Sequence, residues 1–255
     1  MTQEIRLKDA IQEKYGAIAK GESAGCCGGG TTLAGTETLG YNPEQIAVGA
    51  GGADLGLGCG NPIDLAELKA GETVLDLGAG AGFDCLLAAK AVGESGTVLG
   101  VDFTLAMIEK AQANAEKMGV HIDFRFGEIE NLPVESGTVD AVISNCVINL
   151  SQNKPRAFTE AFRVLKRGGR LAVSDIVLGA ELPAIVRESV DAYVGCVAGA
   201  LLKDEYLRLL SETGFERIEV LREVRYTGTG GCLPEGVDEK ALTQVLSLGV
   251  RAYKP

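Results

Sequence analysis

The sequence predicts a doubly wound α/β domain, a mostly parallel sheet covered on both faces by helices, with an N-terminal helix, a glycine-rich lid and a small C-terminal extension. Three observations lead there. From Thr73 onward, short apolar runs alternate with stretches of helical length, the pattern of parallel strands joined by right-handed crossovers. The first of these runs passes straight into a glycine-rich turn and a helix, VLDLGAGAGFD. A chain of 255 residues with 46% hydrophobic content can also bury one sizeable core, and that content excludes extended disorder.

Taken in order, residues 4–20 place Ile5, Leu7, Ile11, Tyr15 and Ile18 at helical spacing, so an amphipathic helix opens the chain. Residues 21–60 are dense in glycine and lack regular apolar alternation, too long for a connector and suited to a lid over a site. The alternating core follows: strand TVLDLG, helix FDCLLAAKAV, strand TVLGVD, helix LAMIEKAQANAEKMG, strands IDFRFGEI and VDAVISN, helix KPRAFTEAFRVL and strand RLAVSD. Beyond Asp175 come a helical stretch around Leu182 to Tyr193, the segment GCVAGAL, a helix DEYLRLLSETG and a strand FERIEVLREV, with ALTQVLSLGVRAYKP as a candidate final strand. These divisions give an N-terminal helix and thiol-bearing lid over 1–70, a nucleoside-binding core over 71–178 and a substrate-binding, sheet-completing region over 179–255.

Charge and composition narrow the partners. With 35 acidic and 24 basic residues the formal net charge is -11, which repels nucleic acid and anionic membrane surfaces and favours a small-molecule partner. The N-terminal residues lack a signal-peptide layout and no stretch reaches membrane-spanning length, so a cytoplasmic location is expected. Thiols stay reduced there, and the odd count of seven cysteines argues against a disulfide scaffold and leaves metal binding, redox chemistry or burial. The single histidine, His121, removes most histidine-based catalysis and the usual zinc sites, and is read as a cap or solvent-facing residue at a helix-to-strand junction.

Gly78, Gly80 and Gly82 let the backbone turn sharply and approach a ligand. A second strand ends in Asp102, 22 positions after Gly80, where a carboxylate can accept from both hydroxyls of a ribose. A nicotinamide dinucleotide would want the same acid, but its glycines are usually spaced G-x-G-x-x-G; here they read G-A-G-A-G, with Asp76 two positions before the first. With VLDLGAGAG, GVDFT, FGEIENLP and LKRGGRLAVSD in this order, residues 72–175 resemble the class I S-adenosylmethionine-dependent methyltransferases. The resemblance implies a Rossmann-like methyltransferase sheet in which Asp76 and the glycine loop hold the amino-acid portion of S-adenosylmethionine. It further implies that Asp102 holds the ribose and that Phe103, Glu128 and Ile129 hold the adenine, and Asn145 is counted with them as a cofactor-binding residue. Ordinary packing competes for Phe103 and a solvated turn charge for Glu128.

Cys146 falls where VDAVISN ends, at the carboxyl edge of the strand expected beside the glycine-loop strand, so its sulfur should face the cofactor. A free cysteine is commonly just a small buried hydrophobe, and Cys85, inside FDCLLAAKAV, is read that way. SNCVINL, with LGCGNP around Cys59, GCVAGAL around Cys196, the pair Cys26 and Cys27, the YGAIAK start and VDFTLAMIEKA, resembles the arsenite methyltransferase family over most of the chain. That resemblance implies an arsenite methylase in which Cys146 and Cys196 are permanent ligands of trivalent arsenic, Cys59 is the third thiol, and Cys26 or Cys27 is its redox partner. Arsenite or its thiol conjugates would be the substrate, and thioredoxin or glutathione would reopen the disulfide. Cys26 and Cys27 could instead capture incoming arsenic, and Cys232 is either a mobile relay or an incidental surface thiol. Some relatives carry a glutamate just before the cysteine matching Cys196; this chain has Gly195. Asn149, like Asn145, either orients groups around Cys146 or satisfies loop backbone. Two other functions compete: methylation of a small organic acceptor with structural cysteines, and a thiolate metalloid binder without catalysis, for which a nucleoside site would have no purpose.

Overall fold

The computed structural model describes residues 3–23, 33–225 and 243–255, so Cys26, Cys27 and Cys232 lie outside the described residues. The core strands are β1 (Thr73–Leu77), β2 (Thr97–Asp102), β3 (Asp123–Phe126), β4 (Val139–Asn145), β5 (Leu165–Leu178), β6 (Glu216–Arg225) and β7 (Val245–Tyr253), joined in one sheet of order β3-β2-β1-β4-β5-β7-β6. β1 to β5 pair in parallel, and β7 runs antiparallel to both β5 and β6.

Alternation along the strands supplies both faces. Leu75 and Leu77 of β1, Val142 of β4 and Leu171 and Val173 of β5 point to one side. There they meet Ala157, Phe158 and Ala161 of α7 (Lys154–Val164) and Tyr206 and Leu210 of α10 (Lys203–Thr213). Val74, Ile143 and Ala172 point to the other side. That layer is filled by α4 (Pro62–Ala66), α5 (Phe83–Val92) and α6 (Leu105–Met118), which contribute Ala66, Leu86, Ala88, Ile108 and Ala111. Burial on both faces explains why these strands are nearly continuous apolar runs.

The opening helix forms as expected, as α1 (Gln3–Lys20). Part of the expected lid is helical: α2 (Leu33–Thr38) and α3 (Pro43–Gly49) lie within it. α3 begins with a reciprocal capping box, Asn42 Oδ1 accepting from Gln45 N and Gln45 Oε1 accepting from Asn42 N, both at 2.9 Å, with Pro43 in the first turn. The final strand, β7, inserts between β5 and β6, leaving the largely exposed β6 at the edge.

Strand order reverses between β1 and β4, since one crossover series leads from β1 to β2 and β3 and the other from β4 to β5. That reversal opens a crevice outside the carboxyl ends of β1 and β4, the position where ligands bind in open α/β sheets.

Candidate functional site

The crevice is a cleft of about 980 Å³ lined by Asp76, Gly78, Gly80, Asp102, Phe103, Asn145, Cys146 and Cys196 among others. A second lobe adds Glu128, Ile129 and Gly127 and shares Ile11, Asp102, Phe103 and Val147 with the first.

The glycine loop is shaped by two close approaches. Gly78 has φ +68°, and a Cβ there would overlap the Val147 side chain. Gly82, at φ +88°, starts α5 and would bring a Cβ to 3.1 Å from Phe124 and 3.2 Å from Ala111. Asp102 ties the loop down: Oδ2 accepts from Gly80 N at 2.9 Å and Oδ1 from Thr104 N at 2.8 Å. Burial pushes the Asp102 carboxyl up, and these backbone donors pull it back.

Asp76, at 2% exposure, sits beside Asp84, and burial followed by that neighbouring charge pushes Asp76 well above the usual carboxylate range. Asp84 is pushed up to about 6 by burial, against hydrogen bonds from Tyr41 Oη at 2.7 Å and Asn145 Nδ2 at 3.2 Å. Two buried acids facing one cleft with no Lys or Arg among its described lining residues are complemented by a ligand with a positive ammonium and sulfonium group. Phe103 and the buried Ile129 offer apolar surface for a base, and Asp102 offers a carboxylate for a ribose. The pocket therefore fits S-adenosylmethionine. Cys85 is fully buried, as expected, but it also donates to Asp76 Oδ2 at 3.3 Å.

α1 closes over this cleft through contacts distant in sequence. Lys8 Nζ pairs with Glu128 at 2.9 Å, Gln12 Nε2 donates to the Phe103 carbonyl at 2.9 Å, and Tyr15 Oη donates to the Val194 carbonyl at 3.2 Å. Val194 ends the short helix α9 (Val190–Val194), which follows α8 (Ala184–Arg187) and stops two residues before Cys196, so α1 reaches from the Glu128 end of the cleft to its thiol end.

Cys146 leaves β4 with its N–H donating to Ser174 O at 2.9 Å, beside the β5 strand. Cys59 arrives on the loop before α4. Its N–H donates to Asn145 Oδ1 at 3.0 Å and its thiol to Ser174 O at 3.2 Å, and Ser247 of β7 donates to its carbonyl. Cys196 follows α9 and its thiol donates to the Cys146 carbonyl at 2.9 Å. The Cys146 thiol lies against both other thiols; burial pushes it well above the usual thiol range, with contact from Cys196 lowering it and contact from Cys59 raising it.

Cys146 and Cys196 share one unusual feature: both are in the left-handed region, at φ +61° and +64°, among four such non-glycine residues in the described chain. A side-chain-bearing residue held there costs about 1 to 3 kcal/mol and concentrates at functional sites. Among the described residues, the donor atoms within 4.8 Å of one another are those of Cys59, Cys146 and Asp175. Cys196 lies outside that group, directed at the Cys146 carbonyl. With Gly195 lacking a side chain, the carboxylate beside the thiols comes from Asp175 of β5, which burial pushes up to about 7.

The structure thus brings Asp76, Gly78, Gly80, Asp102, Phe103, Asn145, Cys146 and Cys196 around one cleft, with Glu128 and Ile129 in its adjoining lobe and Cys59 beneath it. Gly82 stands behind the glycine loop. His121 is exposed between α6 and β3. Asp84, Tyr41, Asp175 and the clasp made by Lys8, Gln12 and Tyr15 also belong to the site, although no motif in the sequence assigns them a role there. Asp175 carried a readable signal, since it ends the apolar run RLAVSD as Asp76 and Asp102 stand at the ends of theirs.

A family model described as a methyltransferase domain matches residues 68–214. The arsenite methyltransferase of Halobacterium salinarum is 47% identical over 227 residues, which cover 84% of this chain and 58% of that one. The arsenite methyltransferase of Aquipseudomonas alcaligenes is 33% identical, covering 90% of this chain and 68% of its own. This chain therefore spans little more than half the length of the first of these relatives. The crystal structure of an arsenic(III) S-adenosylmethionine methyltransferase from Chlamydomonas reinhardtii superposes with a TM-score of 0.68 at 34% identity, over 86% of this chain and 73% of that chain. With the glycine loop, the two strand-end acids and the thiol cluster in one cleft, and with relatives matched along most of its length, the chain belongs to the arsenite methyltransferase family.

Proposed function

We propose that the protein methylates trivalent arsenic held by Cys59, Cys146 and Cys196, with S-adenosylmethionine as methyl donor and arsenite or its thiol conjugates as substrate. The observation that carries this reading is the lining of a single cleft by both the acids of the cofactor end and the thiols of Cys146 and Cys196. The bound cofactor supplies an electrophilic methyl group on sulfonium, with a neutral thioether as leaving group.

The chain's own groups do the rest. A neutral, buried Cys146 thiol suits arsenite: each thiol proton leaves with an arsenic hydroxyl as water, so three thiols and As(OH)3 give an arsenic trithiolate and three waters without a general base. Cys196 joins by turning from the Cys146 carbonyl toward the other sulfurs. Pyramidal arsenic then presents its lone pair to the cleft, where Val147 and Leu150 help to exclude water and the glycine loop fixes the donor's position.

Methyl transfer formally oxidises arsenic by two electrons. In this reading Cys59 and either Cys26 or Cys27 return them by closing a disulfide with loss of two protons, and thioredoxin or glutathione reopens it. The test is transfer of labelled methyl to arsenite by reduced protein, alongside Cys146→Ser and Cys196→Ser. Both variants should bind S-adenosylmethionine and remain folded but lose transfer. Retained transfer by both would remove the ligand assignment.

A further inference from the structure

We infer that the pocket under the cleft is also a binding site for a thiophilic divalent cation, of the zinc and cadmium class, held by Cys59, Cys146 and Asp175 rather than by the arsenic trio. Its donor set differs from a pure thiol site in one atom, and that atom decides the ligand class. Trivalent arsenic is satisfied by three sulfurs in a pyramid, whereas a tetrahedral cation accepts mixed sulfur and oxygen ligands.

The geometry favours the mixed set. One ligand atom each from Cys59, Cys146 and Asp175 lies within 4.8 Å of the other two. Around a tetrahedral cation with bonds of about 2.0 to 2.3 Å, such donors stand roughly 3.5 to 4 Å apart, so an adjustment of about an ångström closes the site. Two of the donors ride on adjacent strands, Cys146 just past β4 and Asp175 in β5, which makes their spacing a property of the sheet.

Asp175 is oriented as ligating carboxylates are. Oδ1 accepts from Asn149 Nδ2 at 2.7 Å and from Ile176 N at 3.0 Å, and Oδ2 accepts from Tyr206 Oη at 3.2 Å. Asn149, which makes that bond, keeps its own Oδ1 buried with no partner among the described residues. An orphaned buried acceptor beside the carboxylate matches a place for a cation-bound water, the fourth ligand. Binding releases the two thiol protons, and any proton on the Asp175 carboxyl, to solvent and sheds the cation's other waters. The bound cation occupies two of the three arsenic thiols and so excludes arsenite.

Cadmium is the probe, because its bond to thiolate absorbs in the ultraviolet. The reduced 255-residue protein should bind one Cd2+ in a way that disappears in Cys59→Ser/Cys146→Ser. Asp175→Asn should weaken that binding tenfold or more, while Cys196→Ser should change it less than threefold. Arsenite binding should show the reverse order: strong loss in Cys196→Ser, little change in Asp175→Asn. Thermal unfolding of each variant checks that the fold is retained. Cadmium binding that survives the double serine variant belongs to other thiols and overturns the site, as does an Asp175→Asn protein that binds cadmium as tightly as the parent. The cation site stands on its own geometry, so a protein that binds cadmium here but methylates no arsenite would sink the arsenic reading alone.

Discussion

The amide of Asn145 joins the cofactor end of the cleft to the thiol end. Its Nδ2 donates to Gly60 O at 2.9 Å, to Tyr41 Oη at 3.0 Å and to Asp84 at 3.2 Å, and its Oδ1 accepts from Cys59 N at 3.0 Å. Asn145→Ala removes these contacts, and the longer one from the Cys59 thiol to Oδ1 at 3.8 Å, at once. Tyr41 and Asp84 keep their bond to each other at 2.7 Å, so the bonds lost outright are those the amide makes to the Cys59 N–H and the Gly60 carbonyl, in residues that are both buried. At roughly 1 to 3 kcal/mol for each of these two buried hydrogen bonds removed, the variant should lose about 2 to 6 kcal/mol. For a chain of this size that lowers the melting temperature by about 4 to 24 °C. Thermal unfolding measures the loss, and the rate of Cys59 alkylation measures the local loosening, since Cys59 is only 1% exposed in the intact site. A melting temperature within about 2 °C of the parent, with Cys59 no more reactive, would refute the reasoning that this amide holds the Cys59 loop.

Three further outcomes are expected. Asp175→Asn should become relatively more stable as pH rises: a buried carboxyl raised to about 7 favours folding below its unfolded range near 4 and loses that contribution as pH climbs through 7, a swing of about 4 kcal/mol. Melting temperatures of parent and variant at pH 5 and pH 8 check this, and a pH-independent difference would contradict it. Gly78→Ala combines φ +68° with overlap of the Val147 side chain, so it should abolish measurable S-adenosylmethionine binding by calorimetry while the rest of the domain stays folded. Lys8→Ala breaks an ion pair whose side chains are 36% and 46% exposed, so it should cost at most about 1 kcal/mol and weaken cofactor affinity no more than about fivefold in the same titration.

Much of the fold was legible because it is local. Buried parallel strands advertise themselves as runs such as TVLDL and DAVISN, and the carboxyl ends of those runs hold Asp76, Asp102 and Cys146. The capping box at Asn42 was also written locally, in NPEQ, but was submerged in a glycine-rich stretch. What could not be read is what depends on pairing across long separations. β7 could have joined the sheet at several edges, and its place between β5 and β6 follows from tertiary burial of Leu248, Val250 and Ala252. The Lys8 to Glu128 clasp spans 120 positions. Asp175 looked like the last residue of one more strand, and only strand pairing sets it beside the Cys146 sulfur. The left-handed backbone of Cys146 and Cys196 has no local signature, since cysteine is not a residue that favours it.

The three-thiol arsenic site is tested most directly by arsenic X-ray absorption on the reduced protein loaded with one equivalent of arsenite. Three sulfur neighbours and no oxygen are predicted for the parent, with one sulfur replaced by oxygen in Cys196→Ser. Arsenic that keeps its oxygens in the parent, or three sulfurs in the Cys196→Ser protein, would contradict it.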